Sequence, residues 1–286
     1  MPKPRHSGSG LEMAGPTTVP ANGAAIPALG LGTWQLRGDD CSAAVKTALE
    51  VGYRHIDTAA MYGNEEAVGA GLKASGIGRD EVFVTTKVWY EDLAPADLRR
   101  SAEASLKRLG LSRVDLFLIH WPNARIPLAG SVRALCDVKR AGLARHVGVA
   151  NFTVRLLDEA VAAADEPIAA NQCEYHPYLD QRAVLSACSR HGVAFISYCP
   201  LGKAQVLGEP AIQAIATAHG RTPAQIVLRW HLQQGIAAIP KSGNARRIAE
   251  NFSVFDFALA EAEMAQISGL ARGGRMVAPS WSPAWD

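Results

Sequence analysis

The sequence predicts an α/β fold, a closed (β/α)8 barrel with an N-terminal β-hairpin. Three observations predict it. Short apolar runs recur eight times along the chain. Segments with helical apolar spacing lie between them. Each run ends in a polar or aromatic residue, although the run itself is apolar. Eight strand–helix units in about 250 residues is the count of a parallel barrel, whose chemistry gathers where the strands end.

The elements follow in order. Thr17 to Leu29 holds Ala21-Asn22-Gly23 between two short extended pieces, the pattern of a hairpin closing one end of the core. Strands are expected near residues 29–33, 53–56, 82–86, 114–119, 146–149, 168–171, 194–198 and 236–239. Helical spacing marks 43–51, 65–73, 98–109, 132–141, 156–164 and 184–191. Thr222-Pro223 opens a further helix, with Thr as the cap and Pro in the first turn, running through Trp230 to Gln234. Gly110, Gly142, Gly192 and Gly235 each lie just past a periodic run, as C-terminal caps do. No linker-like stretch interrupts residues 17–286, which therefore read as one domain. The doubly wound sheet is the rival. Its glycine-rich turn is missing after the first strand, where Gly30-Leu31-Gly32-Thr33-Trp34 lacks a third small residue. Gly69-Ala70-Gly71 with Ala74 matches GxGxxA but sits inside a helix, and reads as helix packing.

Composition narrows the function. The chain has 286 residues, 48% hydrophobic and 20% charged, with a net charge of +2. No basic block points to nucleic acid or an acidic membrane as partner. No apolar run reaches the roughly 18 residues of a spanning helix. The first sixteen residues are basic and Ser/Gly-rich without an apolar segment. They read as a disordered extension or cloning remnant rather than a signal peptide. Five cysteines (Cys41, Cys136, Cys173, Cys188, Cys199), without CxxC spacing, suit reduced thiols in a cytoplasmic protein.

The strand ends carry the chemistry. They are Trp34, Asp57, Lys87, His120, Asn151, Gln172, Tyr198 and Lys241. A ring of polar groups at one end of an apolar barrel implies a site, because buried polar groups are costly without partners. Tyr62 lies on the loop after Asp57, before the turn dipeptide Gly63-Asn64. Asp57 can pair with Lys87, and a cation beside Tyr62 is expected to lower the phenol from its reference pKa of about 10. Such a phenol can hand a proton to a carbonyl oxygen, with His120 orienting the same oxygen. No clear metal set competes for that role; Glu174-Tyr175-His176 comes nearest, and His176 before Pro177 reads as a loop residue. After the last strand, Lys241, Ser242, Asn244, Arg246 and Arg247 open a helix. Cations at a helix N-terminus after the eighth barrel strand form a favoured phosphate site.

From about Thr17 onward the chain resembles the aldo-keto reductase superfamily. The matching stretches are GLGTW, GYRHIDTAAMYGNEE, VFVTTKVW, SLKRLGLSRVDLFLIHWP, GVANFT, NQCEYHPYL, SYCPLG and PKSGNARRIAEN, in the family's order. Within the superfamily it is most similar to bacterial 2,5-diketo-D-gluconate and methylglyoxal reductases, which the ending RMVAPSWSPAWD also suits. The resemblance implies a metal-free, NADPH-dependent reductase of small aldehydes and ketones, monomeric by family default. Its catalytic four fall on Asp57, Tyr62, Lys87 and His120. Asn151 and Gln172 match the residues that hold the nicotinamide carboxamide, and Tyr198 the ring that stacks on it. Gly32 and Thr33 join the cofactor set, and Leu201 and Gly202 fall where the loop passes the pyrophosphate. Lys241, Ser242 and Arg247 match the 2′-phosphate cradle, with Glu250 and Asn251 at the adenine. Trp34, Trp89 and Trp121 fall around the substrate. Trp281, in a C-terminal loop folded back over the site, would wall the pocket, and Gly273-Gly274 would let that loop move. Trp230, mid-helix among apolar neighbours, reads as core. The family often has Ser-Asn where this chain has Ala150-Asn151, which removes one hydroxyl contact to the carboxamide. Some resembling proteins use the same barrel as a non-catalytic, cofactor-binding channel subunit, and that is the alternative.

Overall fold

The computed structural model describes residues 17–286. The expectation for residues 1–16 lies outside the described residues. Among the described residues, no helix is long and apolar enough to cross a membrane.

The chain opens with the expected hairpin, β1 (Thr18–Ala21) and β2 (Ala24–Pro27), paired antiparallel. Asn22 and Gly23 turn it with φ of 37° and 86°. Two consecutive left-handed residues match the right-handed twist of the flanking strands. Val19, Ala21, Ala24 and Ile26 are buried. The Asn22 amide donates to the carbonyls of Ile168 and His191, at 2.8 and 3.0 Å. Those bonds seat the hairpin across the N-terminal end of the barrel.

Eight parallel strands follow: β3 (Leu31–Gly32), β4 (His55–Asp57), β5 (Phe83–Val88), β6 (Val114–Ile119), β7 (Ala144–Ala150), β8 (Ile168–Glu174), β9 (Ala194–Tyr198) and β10 (Ala237–Ala238). Each pairs with its neighbours in sequence. Parallel bridges of Leu29 with Ala238 and Gly32 with Lys241 close the cylinder. The Gly32 N–H donates to Pro240 O at 3.0 Å across this seam. A Cβ at Gly32 would stand 2.8 Å from Ile239 O, so the seam closes only on glycine.

The helices are α1 (Gly38–Val51), α2 (Glu65–Ser75), α3 (Pro95–Leu109), α4 (Leu128–Arg140), α5 (Val154–Ala163), α6 (Arg182–Arg190), α7 (Pro210–His219), α8 (Pro223–Gln233), α9 (Ala245–Phe252) and α10 (Glu261–Ser268). Thr222 caps α8 as expected, in a reciprocal box with Gln225. Gly69 and Gly71 pack helix on helix: a Cβ would come within 2.3 Å of Leu109 O or 2.6 Å of Ser42 O. Trp230 is buried, its indole N–H on Ser268 Oγ at 3.0 Å. The sequence reading did not anticipate α7 and α10. They lie outside the eightfold count and meet each other through His219 and Glu263, 2.9 Å apart.

Charge differs between the two ends. At the N-terminal end, buried Asp115 takes Arg79 at 2.6 Å, Arg145 at 3.4 Å and the Val84 N–H at 2.9 Å. The carboxylate is met by all three, while Arg79 Nε stays buried without a hydrogen-bond partner among the described residues. At the C-terminal end the polar groups face a cleft.

Candidate active site

Asp57 ends β4 and Lys87 lies on the adjacent β5, both fully buried. Lys87 Nζ donates to Asp57 Oδ1 at 2.6 Å and to Thr58 O at 2.8 Å. Its third partner is Tyr62 OH at 3.4 Å. All three ammonium protons are therefore directed. Gln172, near the end of β8, donates to the other oxygen of Asp57 at 2.7 Å. A buried carboxylate so bridged fixes the cation that sits beneath the phenol.

Tyr62 ends a short 3-10 turn, Ala60–Tyr62, and Gly63 reverses the chain at φ 63°. Buried Asn64 pins this loop: its amide donates to Thr33 O and Leu36 O, at 2.9 and 3.1 Å, and accepts the Thr58 hydroxyl at 2.7 Å. Arg37 donates to the Tyr62 carbonyl. His120, just past β6, lies edge-on to Tyr62 and Trp89, with ring centroids 5.6 and 5.4 Å apart. Phenol, ammonium, carboxylate and imidazole thus meet at one rim.

Electrostatics correct one expectation. Burial pushes the Tyr62 phenol up, Lys87 pulls it down, and the net position is above its ordinary 10.0. The expected lowering fails because desolvation outweighs the cation. For Lys87, burial pulls down, but Asp57 and Tyr62 together hold the ammonium above its usual 10.5. Burial, with Lys87 nearby, drives His120 well below 6.5, so its ring is neutral.

These groups form the floor of a cleft of about 1300 Å³. Gly32, Thr33, Trp34, Asp57, Tyr62, His120, Trp121, Gln172, Tyr198 and Leu201 line it, as does the far arm of Lys241, Ser242, Arg247, Glu250 and Asn251. Among the described residues, Lys241, Arg246 and Arg247 make no ion pair. Ser242 and Asn244 instead shape the turn, and Asn244 caps α9 by accepting from the Arg247 N–H at 3.1 Å. A helix start with three cations that make no ion pair among the described residues fits an anionic group. The Glu250 carboxylate accepts the Thr222 hydroxyl at 3.0 Å.

Other expected residues lie off the cleft surface. Asn151 is 1% exposed, at φ 62°. Its amide donates to His120 O at 2.9 Å and accepts the Tyr198 hydroxyl at 2.7 Å. It sits one layer down, bracing two residues that do face the cleft. Gly202 is buried, and its neighbours Leu201 and Lys203 take the surface. Trp89 stands behind His120 and lines a separate depression with Asp92 and Arg100. Trp281 does fold back, stacking on Tyr90 at 4.3 Å with edges to Trp89 and Trp121. It braces the mouth from outside, while residues 276–279 of the same tail form the wall.

Cys199, Lys203 and residues 276–279 were not anticipated at the cleft. The loop after β9 did carry a signal in GK, and the tail in its two indoles. Neither told which residues would turn inward.

Three comparisons bear on this arrangement. Residues 28–272 match the aldo/keto reductase family. Methylglyoxal reductase DkgB of Salmonella typhi is 41% identical over 265 residues, covering 91% of this chain and 99% of that one. Morphine 6-dehydrogenase of Pseudomonas putida is 43% identical over 272 residues, 89% of this chain and 91% of that one. A crystal structure assigned to 2,5-diketo-D-gluconic acid reductase B superposes with a TM-score of 0.92 at 43% identity, covering 94% and 98% of the two chains. The closed (β/α)8 barrel, the site at its C-terminal rim and these matches lead to one conclusion: the chain belongs to the aldo/keto reductase family.

Proposed function

We propose that the protein reduces aldehyde or keto groups of small carbonyl compounds to alcohols with NADPH, and that Tyr62 delivers the proton. The observation that carries this is the Tyr62 hydroxyl, 3.4 Å from the Lys87 ammonium and beside a neutral His120 on the cleft floor. Methylglyoxal and diketo-sugar acids are the substrate class suggested by the relatives' names.

When bound, NADPH would be the source of hydride for the carbonyl carbon. The chain's own residues do the rest. Tyr62, protonated at neutral pH, gives its proton to the carbonyl oxygen. The phenolate left behind lies 3.4 Å from Lys87 Nζ, whose charge holds it until solvent returns the proton. Asp57 keeps the ammonium in place. Neutral His120 offers the same oxygen a hydrogen bond without competing as an acid. Lys241, Ser242 and Arg247 would hold the 2′-phosphate, Glu250 and Asn251 the adenine, and Leu201 with the Gly202 loop the pyrophosphate. Tyr198 and Gln172 would receive the nicotinamide, with Asn151 supporting Tyr198. Trp34 and Trp121 give the mouth an apolar surface.

The test is loss of NADPH absorbance on adding methylglyoxal. A silent trace across a panel of aldehydes would instead favour a cofactor-binding regulator. Arg247→Ala should raise the Kd for NADPH by about tenfold or more and leave NADH within about twofold, because a charge-assisted contact contributes roughly 1.5–3 kcal/mol. Equal losses for both would remove Arg247 from the 2′-phosphate.

The pH profile has a definite sign. His120 lies well below 6.5 and Tyr62 above 10.0, so neither changes state near neutrality. The hydride-transfer rate, followed by stopped flow, should be flat from about pH 7 to 9 and fall only as the phenol ionises above that range. An acid limb centred near 6.5 would mean that His120 titrates and shares the proton's path.

A further inference from the structure

We propose that Glu174 is a positioning residue for the substrate side of the cleft, acting through two backbone N–H groups of the C-terminal tail. The proposal rests on the reductase reading for the meaning of that wall.

Glu174 is the last residue of β8 and is fully buried. Nothing in the proton path uses it. Three groups meet its carboxylate. The Met276 N–H donates to Oε1 at 2.7 Å and the Val277 N–H to Oε2 at 2.9 Å. His176 Nε2 lies 3.0 Å from Oε1, with that imidazole itself fully buried. Burial pushes the Glu174 carboxyl up, but His176 and the two amides more than offset it, and the group stays ionised.

The arrangement is selective for a carboxylate. Two consecutive N–H groups each take one oxygen, and an amide side chain offers only one acceptor. A buried charge is expensive compared with an apolar side chain of similar size, so its presence here asks for a use beyond packing. The residues it holds supply that use. Residues 276–279 line the cleft. Just upstream, the Arg272 and Gly274 N–H groups bond to Tyr178 O at 3.0 and 2.9 Å. Downstream, Trp281 is clamped by rings. Between these fixed points, Lys203 Nζ on Met276 O at 3.0 Å is an exposed tie, and Glu174 is the buried one. Register and depth of the wall therefore follow from a strand end about a hundred residues earlier in the chain.

The test is Glu174→Gln in the full chain. Hydrogen exchange at the Met276 and Val277 amides should quicken by about tenfold or more, as expected when a hydrogen bond to a charged acceptor is lost. The Kd for NADPH, read by tryptophan quenching, should stay within about twofold. The ratio of kcat/KM for 2-naphthaldehyde over methylglyoxal should rise about tenfold through KM, since a loosened wall discriminates less by size. Unchanged exchange at the two amides overturns the proposal. So does a uniform loss in NADPH affinity and in both substrates, which would mean general loosening. If Glu174→Gln does not fold, Val277→Pro removes one donor from outside the barrel and should shift the same ratio; an unchanged ratio overturns the proposal. If the wild-type protein reduces no aldehyde, the reductase reading fails, and the exchange measurement alone decides whether Glu174 anchors the tail.

Discussion

Replacing Tyr62 with phenylalanine is expected to lower kcat by roughly 10²- to 10⁴-fold while NADPH binds as in the wild type. The substitution is close to isosteric. The ring keeps its contacts with Trp34 at 4.9 Å and His120 at 5.6 Å, and Asn64 still pins the loop. What disappears is the hydroxyl alone, and with it the phenolic proton held 3.4 Å from a fixed cation. Single-turnover kinetics separate this chemical step from product release. A drop of less than about tenfold would show that water or His120 protonates the substrate. Lost cofactor affinity would show that the phenol has another task.

Lys87→Met should act on the whole fold. Asp57 would remain buried with Gln172 as its hydrogen-bond donor and without its cation. Leaving one partner of a buried pair alone costs about 3–5 kcal/mol, much of the stability a domain has. Denaturant unfolding should show that loss as a lower midpoint with an unchanged slope. The double variant Lys87→Met, Asp57→Asn should recover most of the stability, because no charge is then stranded. It should recover none of the activity, because nothing holds the phenolate. Recovery of turnover in the double variant would mean that the ammonium has only a structural part.

The barrel was legible because each of its strands has a local signature. A short apolar run that ends in Asp57, Lys87, His120 or Gln172 marks both the strand and its functional end. The helix cap at Thr222 and the turn at Asn22-Gly23 were legible for the same reason. The α7 and α10 helices were not: each is short, with apolar residues spread around its surface, so periodicity gives no edge to read. The tasks of Glu174 and His176 were hidden for a different reason. His176 before Pro177 reads as a loop residue, Glu174 enters only as part of a weak metal candidate, and the donors that explain its carboxylate lie beyond Gly274. Trp89 follows its strand just as Trp34 and Trp121 do, yet stands behind His120. Its place depends on how Trp281 and Tyr90 stack, which no single strand end reveals. The shift of Tyr62 is likewise a balance of burial against Lys87, and the sequence shows the cation but not the depth.

The hairpin at the N-terminal end has a consequence for traffic. With Ile26 and Val19 packed into that end and Asn22 bonded to Ile168, the hairpin covers the N-terminal end of the cylinder among the described residues. On the proposed reading, what enters the cleft would leave by the same mouth, over the groove in which a dinucleotide would lie. An alcohol formed on the floor would then have to exit before a spent nucleotide could be exchanged, so a molecule wedged between Trp34 and Trp121 would stall both departures at once.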